Sequence, residues 1–166
     1  MDVTMWIWIA VVVGTPVGLG LLWMLFVLVA LRSGYRPAVA AVRRFNRRVT
    51  NPRVLRTAGE PGASAALIRH TGRKSGKSYR TPIGILEAGD DFVVSLPYGT
   101  SPDWLANLRA AGNAEVVHEG GTYRVTEPEL VPAASVARFQ SRSERMLLRV
   151  FGVDEVLRLR RSPVAS

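Results

Sequence analysis

Residues 65–96 read AALIRHTGRKSGKSYRTPIGILEAGDDFVVSL, and three short apolar runs within them point to β-strands. Ala65–His70 is the first, Tyr79–Leu86 the second and Asp91–Leu96 the third, entered by the turn Ala88-Gly89-Asp90. Between the first two lies Thr71–Ser78, which carries Arg73, Lys74 and Lys77, with Arg80 just beyond. Gly72 and Gly76 allow tight curvature there, so N–H groups and cationic heads can converge on an anion. A solvated basic hairpin is the plainer alternative. A nucleotide-binding P-loop is excluded, because only three residues separate the glycines and the segment leads into an extended run, not a helix.

Downstream, Pro102–Ala111 (PDWLANLRAA) has helix chemistry. Ser101 is a candidate N-cap, Pro102 suits the first position, Asp103 favours the first turn and Gly112 supplies a stop. Trp104 and Asn107 share a face and could flank an aromatic ligand, although core packing is the commoner fate of a tryptophan. The turn Leu96-Pro97-Tyr98-Gly99 precedes this helix. Ala114–Glu119 and Thr122–Thr126 form an expected hairpin around Gly120-Gly121, and residues 133–149 and 152–161 read as helices. His70 and His118 have no visible partner in the sequence and read as structural or surface residues. The expected architecture is α+β, with about five strands closed into a small barrel around one inserted helix.

Upstream, Met5–Leu31 is 27 residues without a charge, long enough as a helix to cross a bilayer. Its acidic start and its length argue against a cleaved signal peptide. Arginines 32, 36, 43, 44, 47 and 48 follow at once. The positive-inside rule then puts the rest of the chain in the cytoplasm, anchored by a single pass in the cell membrane, with these arginines near anionic headgroups. Residues 37–50 read as an amphipathic helix on the membrane surface, ended by Asn51-Pro52. Gly14 and Gly18 have the spacing of helix dimers, so a homodimer is possible, though Pro16 between them suits a kink equally well. The division expected is an anchor over 1–34, a basic juxtamembrane helix and linker over 35–62, and a globular domain over 63–166.

Charge follows this division. Residues 1–31 carry −1, residues 32–60 carry +7 and residues 61–166 carry +3, giving the net +9. The basicity thus sits where a membrane explains it, and no nucleic-acid partner is expected. With no cysteine and two histidines 48 positions apart, thiol chemistry, iron–sulfur clusters and a His/Cys metal site are excluded. Hydrolase and dinucleotide-binding signatures are also missing.

The segments His70-Thr-Gly-Arg-Lys-Ser-Gly76, Arg80-Thr-Pro82, Leu96-Pro-Tyr-Gly99 and Pro102-Asp-Trp104 with Asn107-Leu108 together form a pattern. Over roughly residues 45–130 it resembles the deazaflavin-dependent nitroreductase family of actinobacteria, which includes F-420H2-dependent quinone reductases. The resemblance implies a split β-barrel of the FMN-binding type. It also implies the 8-hydroxy-5-deazaflavin coenzyme F-420, whose tail carries a phosphate and several glutamates. By the same resemblance, Arg73, Lys74 and Ser75 contact the phosphate side and Arg80 and Pro82 continue that wall. Leu96, Pro97, Tyr98 and Gly99 lie against the deazaflavin, while Trp104 and Asn107 close the pocket. Two departures stand out: Leu-Pro-Tyr-Gly replaces a small-residue and serine turn, and Tyr79 takes the place of a family arginine, with Arg80 one position later. In a strand, that shift moves the side chain to the other face.

The function expected is transfer of a hydride from reduced F-420 to a small, lipophilic acceptor such as a quinone or a nitro compound. Tyr98 is the candidate proton donor, and no metal is called for. Two alternatives stand beside it: a barrel holding FMN or a haem-like tetrapyrrole, and a non-catalytic domain that binds lipid or sequesters a cofactor.

Overall fold

In the computed structural model, residues 2–163 are described. Residues 164–166 of the expected globular domain lie outside them. Seven strands form one antiparallel sheet: β1 (Ala66–Thr71), β2 (Ser78–Ile83), β3 (Ile85–Ala88), β4 (Asp91–Ser95), β5 (Asn113–His118), β6 (Gly121–Pro132) and β7 (Glu155–Pro163). Their spatial order is β2-β1-β5-β6-β7-β4-β3. The helices are α1 (Val3–Ser33), α2 (Arg36–Phe45), α3 (Asn51–Val54), α4 (Asp103–Ala111) and α5 (Arg142–Phe151), with a π-helical turn at Asn46–Thr50 and a 3-10 helix at Ala133–Phe139.

The expected closed barrel is not what forms. β2 and β3, the two edges of the sheet, do not pair with each other. They are, however, separated in sequence by Gly84 alone, so Ile83 and Ile85 lie within about 7.6 Å of each other, two Cα steps. The sheet must curl until its edges meet at this residue. Ile83 then packs with Phe92, Val94, Val116, Val125, Leu157 and Leu159 in one core, and Ile85 lies against it. The expected strand Tyr79–Leu86 is thus two strands, one serving each edge. α4 covers the mouth of this core with Trp104, Leu105 and Leu108.

Residues 152–161 are a correction of greater weight. Instead of a helix they supply β7, which pairs with both β4 and β6. Leu157 and Leu159 alternate inward and are fully buried. Arg158 turns outward to Asp91 and Glu129, and Arg160 to Glu127. A two-residue period in an arginine- and leucine-rich segment outweighs the helix propensity of those residues. In β6 a register shift between Thr126 and Glu129 forms a bulge, with Glu127 at φ 51°. The expected helix over 133–149 is in fact a 3-10 helix followed by α5, which opens on a capping box between Ser141 and Glu144.

Other expectations hold with small shifts. The β5–β6 hairpin turns on Glu119 and Gly120, both at positive φ, with His118 opposite Gly121. α4 ends at Gly112 with φ 74°, and its N-cap is Pro102, not Ser101. Asn51-Pro52 does not end the juxtamembrane helix. The wider π turn at 46–50 leads directly into α3, so the helical path runs on through Pro52.

α1 is long and apolar enough over Val11–Ser33 to cross a membrane. Gly34, left-handed at φ 63°, turns the chain so that α2 folds back along α1 and the rings of Phe45 and Trp23 sit 4.5 Å apart.

Candidate functional site

The residues singled out in sequence fall into two groups joined by the β4–α4 connection. The first surrounds the turn between β1 and β2. Gly72 N–H donates to Lys77 O and Gly76 N–H to Gly72 O, both at 2.8 Å, which closes the turn on itself. Lys77 N–H reaches Ser75 Oγ at 3.3 Å, and Ser75 Oγ lies 3.0 Å from the Tyr79 hydroxyl. Gly72 is required here: a Cβ would meet Ser75 Oγ and Tyr79 Cε2, each at 2.5 Å. Among the described residues the amides of Lys74 and Ser75 have no acceptor, and Lys74, Lys77 and Arg80 have no ion-pair partner. Open amides beside unpaired cations on a glycine-bounded turn are the chemistry of an anion site.

Arg73 behaves differently from the two lysines. Its backbone N–H and its guanidinium both donate to Asn107 Oδ1, at 3.1 and 2.9 Å, and the guanidinium pairs with Asp103 at 3.3 Å. Arg73 therefore clamps the turn to α4. With Oδ1 occupied twice, the Asn107 amide donates to His70 Nδ1 at 3.0 Å, so His70 Nε2–H faces Thr81 Oγ1 at 3.2 Å. Burial lowers the pKa of His70, partly opposed by the charge of Asp103. The Tyr79 ring stacks on the imidazole with centroids 5.8 Å apart. His70, read from sequence as partnerless, is in fact the inner member of a polar chain. The signal was its cross-strand position opposite Tyr79, visible only once the register is known.

That register also settles the arginine displacement. Tyr79, Thr81 and Ile83 share the inner face with His70, Ile68 and Ala66, whereas Arg80 and Pro82 lie on the outer face opposite Arg69 and Leu67. Arg80 is thus on the other side of the strand from the Tyr79–His70 stack. Trp104 is nine-tenths buried in the main core, and Asn107 is more deeply buried still.

The second group lies at the end of β4. Leu96 is buried, Pro97 and Tyr98 are half-buried and Gly99 turns the chain at φ 83°. All four line a cleft of about 580 Å³ with Val39, Ala40 and Arg43 of α2 and with Leu31, Phe151 and Val153. Arg43 ties α2 to this loop by donating to Ser101 O at 3.0 Å. Thr50 Oγ1 donates to Asn46 Oδ1 at 3.1 Å, which leaves the Asn46 amide to donate to the Tyr98 hydroxyl oxygen. The phenolic proton is then free to be given to something else. Burial raises the Tyr98 pKa, partly opposed by the Asn46 bond, so the hydroxyl stays protonated at neutral pH. Asn46 was not foreseen as part of this site, because nothing in the sequence marks a π turn. Tyr98 and Asp103 are five residues apart, so the two groups are within about 18 Å of each other along the chain.

A family model described as F-420H(2)-dependent quinone reductase matches residues 35–152, most of the chain and both groups of the site. The chain belongs to this family. It is accordingly an F-420H2-dependent oxidoreductase. The match begins one residue after Gly34, where α1 has ended, and takes in the turn at 72–77, Tyr98 and α4. No curated protein matches. Among solved structures, the chain is similar to an F-420-H2 dependent reductase (FDR-A) at 13% identity, over 58% of this chain and 93% of that one, with TM-score 0.37. It is similar to an F-420 reductase at 13% identity, over 66% and 92%, with TM-score 0.40. An FMN-binding protein from Syntrophomonas wolfei subsp. wolfei is 15% identical over 76% and 97%, with TM-score 0.40.

Proposed function

We propose that this F-420H2-dependent quinone reductase family member is a single-pass membrane protein. In this reading it reduces a lipophilic acceptor, a quinone before a nitro compound, at the cytoplasmic face of the cell membrane. The curled sheet is read as a split barrel, and the division into an anchor (1–34), a juxtamembrane segment (35–62) and a domain (63–166) is kept. The single observation that carries the cofactor assignment is the turn at 72–77. Its open Lys74 and Ser75 amides and its unpaired lysines suit the phosphate and glutamates of the F-420 tail. Arg80 and Pro82, on the outer face, have a weaker claim to that tail than Lys74 and Lys77.

The chemistry supplied by bound, reduced F-420 is hydride donation to the acceptor. The residues of this chain position, shield and protonate. Arg73 holds the turn at a fixed distance from α4 through Asp103 and Asn107, so the anion site does not drift from the loop that carries Tyr98. Leu96, Pro97 and Gly99 present a largely apolar wall suited to a planar ring, and Trp104 supports that wall from the core. Tyr98, its oxygen already accepting from Asn46, has a hydroxyl proton to give to a reduced acceptor oxygen. A quinone needs one hydride and one proton at this step, which this arrangement can meet. The cleft reaches Leu31 at the end of α1, which supports an acceptor dissolved in lipid.

Calorimetric titration of the detergent-solubilised chain with F-420 tests the assignment. Saturable binding, weakened and made less salt-sensitive by Lys74→Ala, is expected. Binding of FMN with none of F-420 would replace the cofactor and keep the fold.

A further inference from the structure

Outside α1, the exposed large aliphatic side chains among the described residues are Met146 at 65% and Leu147 at 52%, adjacent on α5. Scattered single exposures are ordinary on a soluble domain, but two neighbours on a helix that packs against an apolar span are not. α5 is fixed there by Arg32, which donates to Arg149 O at 3.0 Å and Val150 O at 3.3 Å. Leu25, Val29 and Arg32 follow the i, i+4, i+7 spacing of one helical face, and Leu25 and Val29 are both more than half exposed. The apolar strip of α1 therefore runs up to the residue that is bonded to α5. Arg142 and Arg149, both exposed, lie one turn to either side of Met146 along the helix. α2 and its arginines occupy another side of α1, where Phe45 meets Trp23.

We infer that α5 is a second membrane contact, an in-plane helix whose Met146 and Leu147 sink into the acyl boundary of the leaflet that α1 enters. The occupant of this face is lipid, because α5 packs on α1 at the end of the span and the arginines beside Met146 match anionic headgroups. The inference rests on the reading of α1 as a membrane span. One consequence is that the cleft beside Tyr98, which Phe151 and Val153 help to line, is held at the bilayer surface from two sides.

The chain has no cysteine, so single sites can be labelled in the full-length protein without a background. Met146→Cys and Leu147→Cys, each carrying a nitroxide, are compared with Val12→Cys in α1 and Glu115→Cys on the exposed sheet face. All four are reconstituted in phosphatidylcholine vesicles containing a minority of phosphatidylglycerol. Collision with oxygen relative to a water-soluble nickel complex should be several-fold greater at 146 and 147 than at 115. Aqueous behaviour at 146 and 147 with lipid behaviour at 12 overturns the α5 contact alone. Aqueous behaviour at 12 overturns the span, and the α5 contact with it. Spin–spin broadening at 146 or 147 that grows with the protein-to-lipid ratio assigns the face to a second copy and overturns lipid as its occupant.

Discussion

Arg73 gives Asn107 two hydrogen bonds at a single oxygen, one from its backbone at 3.1 Å and one from its guanidinium at 2.9 Å. That shared acceptor couples the turn at 72–77 to α4 and orients the amide that holds His70. Asn107→Leu leaves a buried imidazole nitrogen and a backbone N–H unmet, a cost of about 1–3 kcal/mol. Thermal unfolding should register the loss, and F-420 affinity should fall with it, because Arg73 is no longer held. An unchanged affinity would remove the clamp from the binding machinery.

The acid limb of stability should carry the signature of His70. Its pKa is lowered on folding, so the unfolded chain binds more protons below the ordinary value of 6.5. Stability from this group is complete above that pH, declines as pH falls through the interval down to the depressed pKa and then levels off. Protonation of Nδ1 would set a donor against the Asn107 donor. His70→Gln should flatten the melting temperature's pH dependence in that interval, and an identical profile in both proteins would exclude His70 as its source.

Tyr98→Phe keeps the ring and removes the hydroxyl. Turnover with a quinone should fall while F-420 binding, followed by calorimetry, is largely kept, since the hydroxyl is assigned to the acceptor and the ring that lies against the cofactor remains. Asn46→Ala should give a milder loss of turnover, because the hydroxyl loses its orientation but not its proton. If both variants turn over normally, the proton comes from water.

Gly72→Ala places a methyl group 2.5 Å from Tyr79 Cε2 and from Ser75 Oγ. The ring must leave its stack on His70, and the turn must open. Weaker F-420 binding and a changed tyrosine near-ultraviolet dichroism are expected together. Gly76→Ala meets no atom within 4 Å but sits at φ 65°, so it tests backbone strain at the same turn without that clash.

Leu157→Ala tests the strand that the sequence pattern disguised. Fully buried between β4 and β6, it should cost about 2–5 kcal/mol, measured by denaturant unfolding. The neighbouring Arg158→Ala, on the exposed face, should cost far less.

Which parts of this were legible follows from the range of the forces involved. β1, β4, the β5–β6 hairpin and α4 rest on local signals: alternation, turn glycines, a first-turn aspartate and a left-handed stop. The basic turn and the Tyr98 loop could be marked as candidates because their residues are contiguous. β7 was hidden because Leu and Arg favour a helix and only its two strand neighbours, some 30 and 65 residues away, enforce extension. The Asn46–Tyr98 and Asn107–His70 bonds join positions 52 and 37 residues apart, and no local pattern announces such pairs. The arginine one position late is the intermediate case. Strand parity predicted a change of face, and the register of β1 with β2 bears it out.

The position of β7 also orders events during synthesis. β2, β1, β5 and β6 form one run of neighbours and β3 with β4 another, and among the described strands only β7 hydrogen-bonds to both. Until Glu155–Pro163 has left the ribosome, the polypeptide can hold at most two half-sheets joined by Gly84, with the backbone groups that await β7 unpaired. α1 precedes that strand along the chain. A chain that stops short of Glu155 therefore has nothing to zip its halves together.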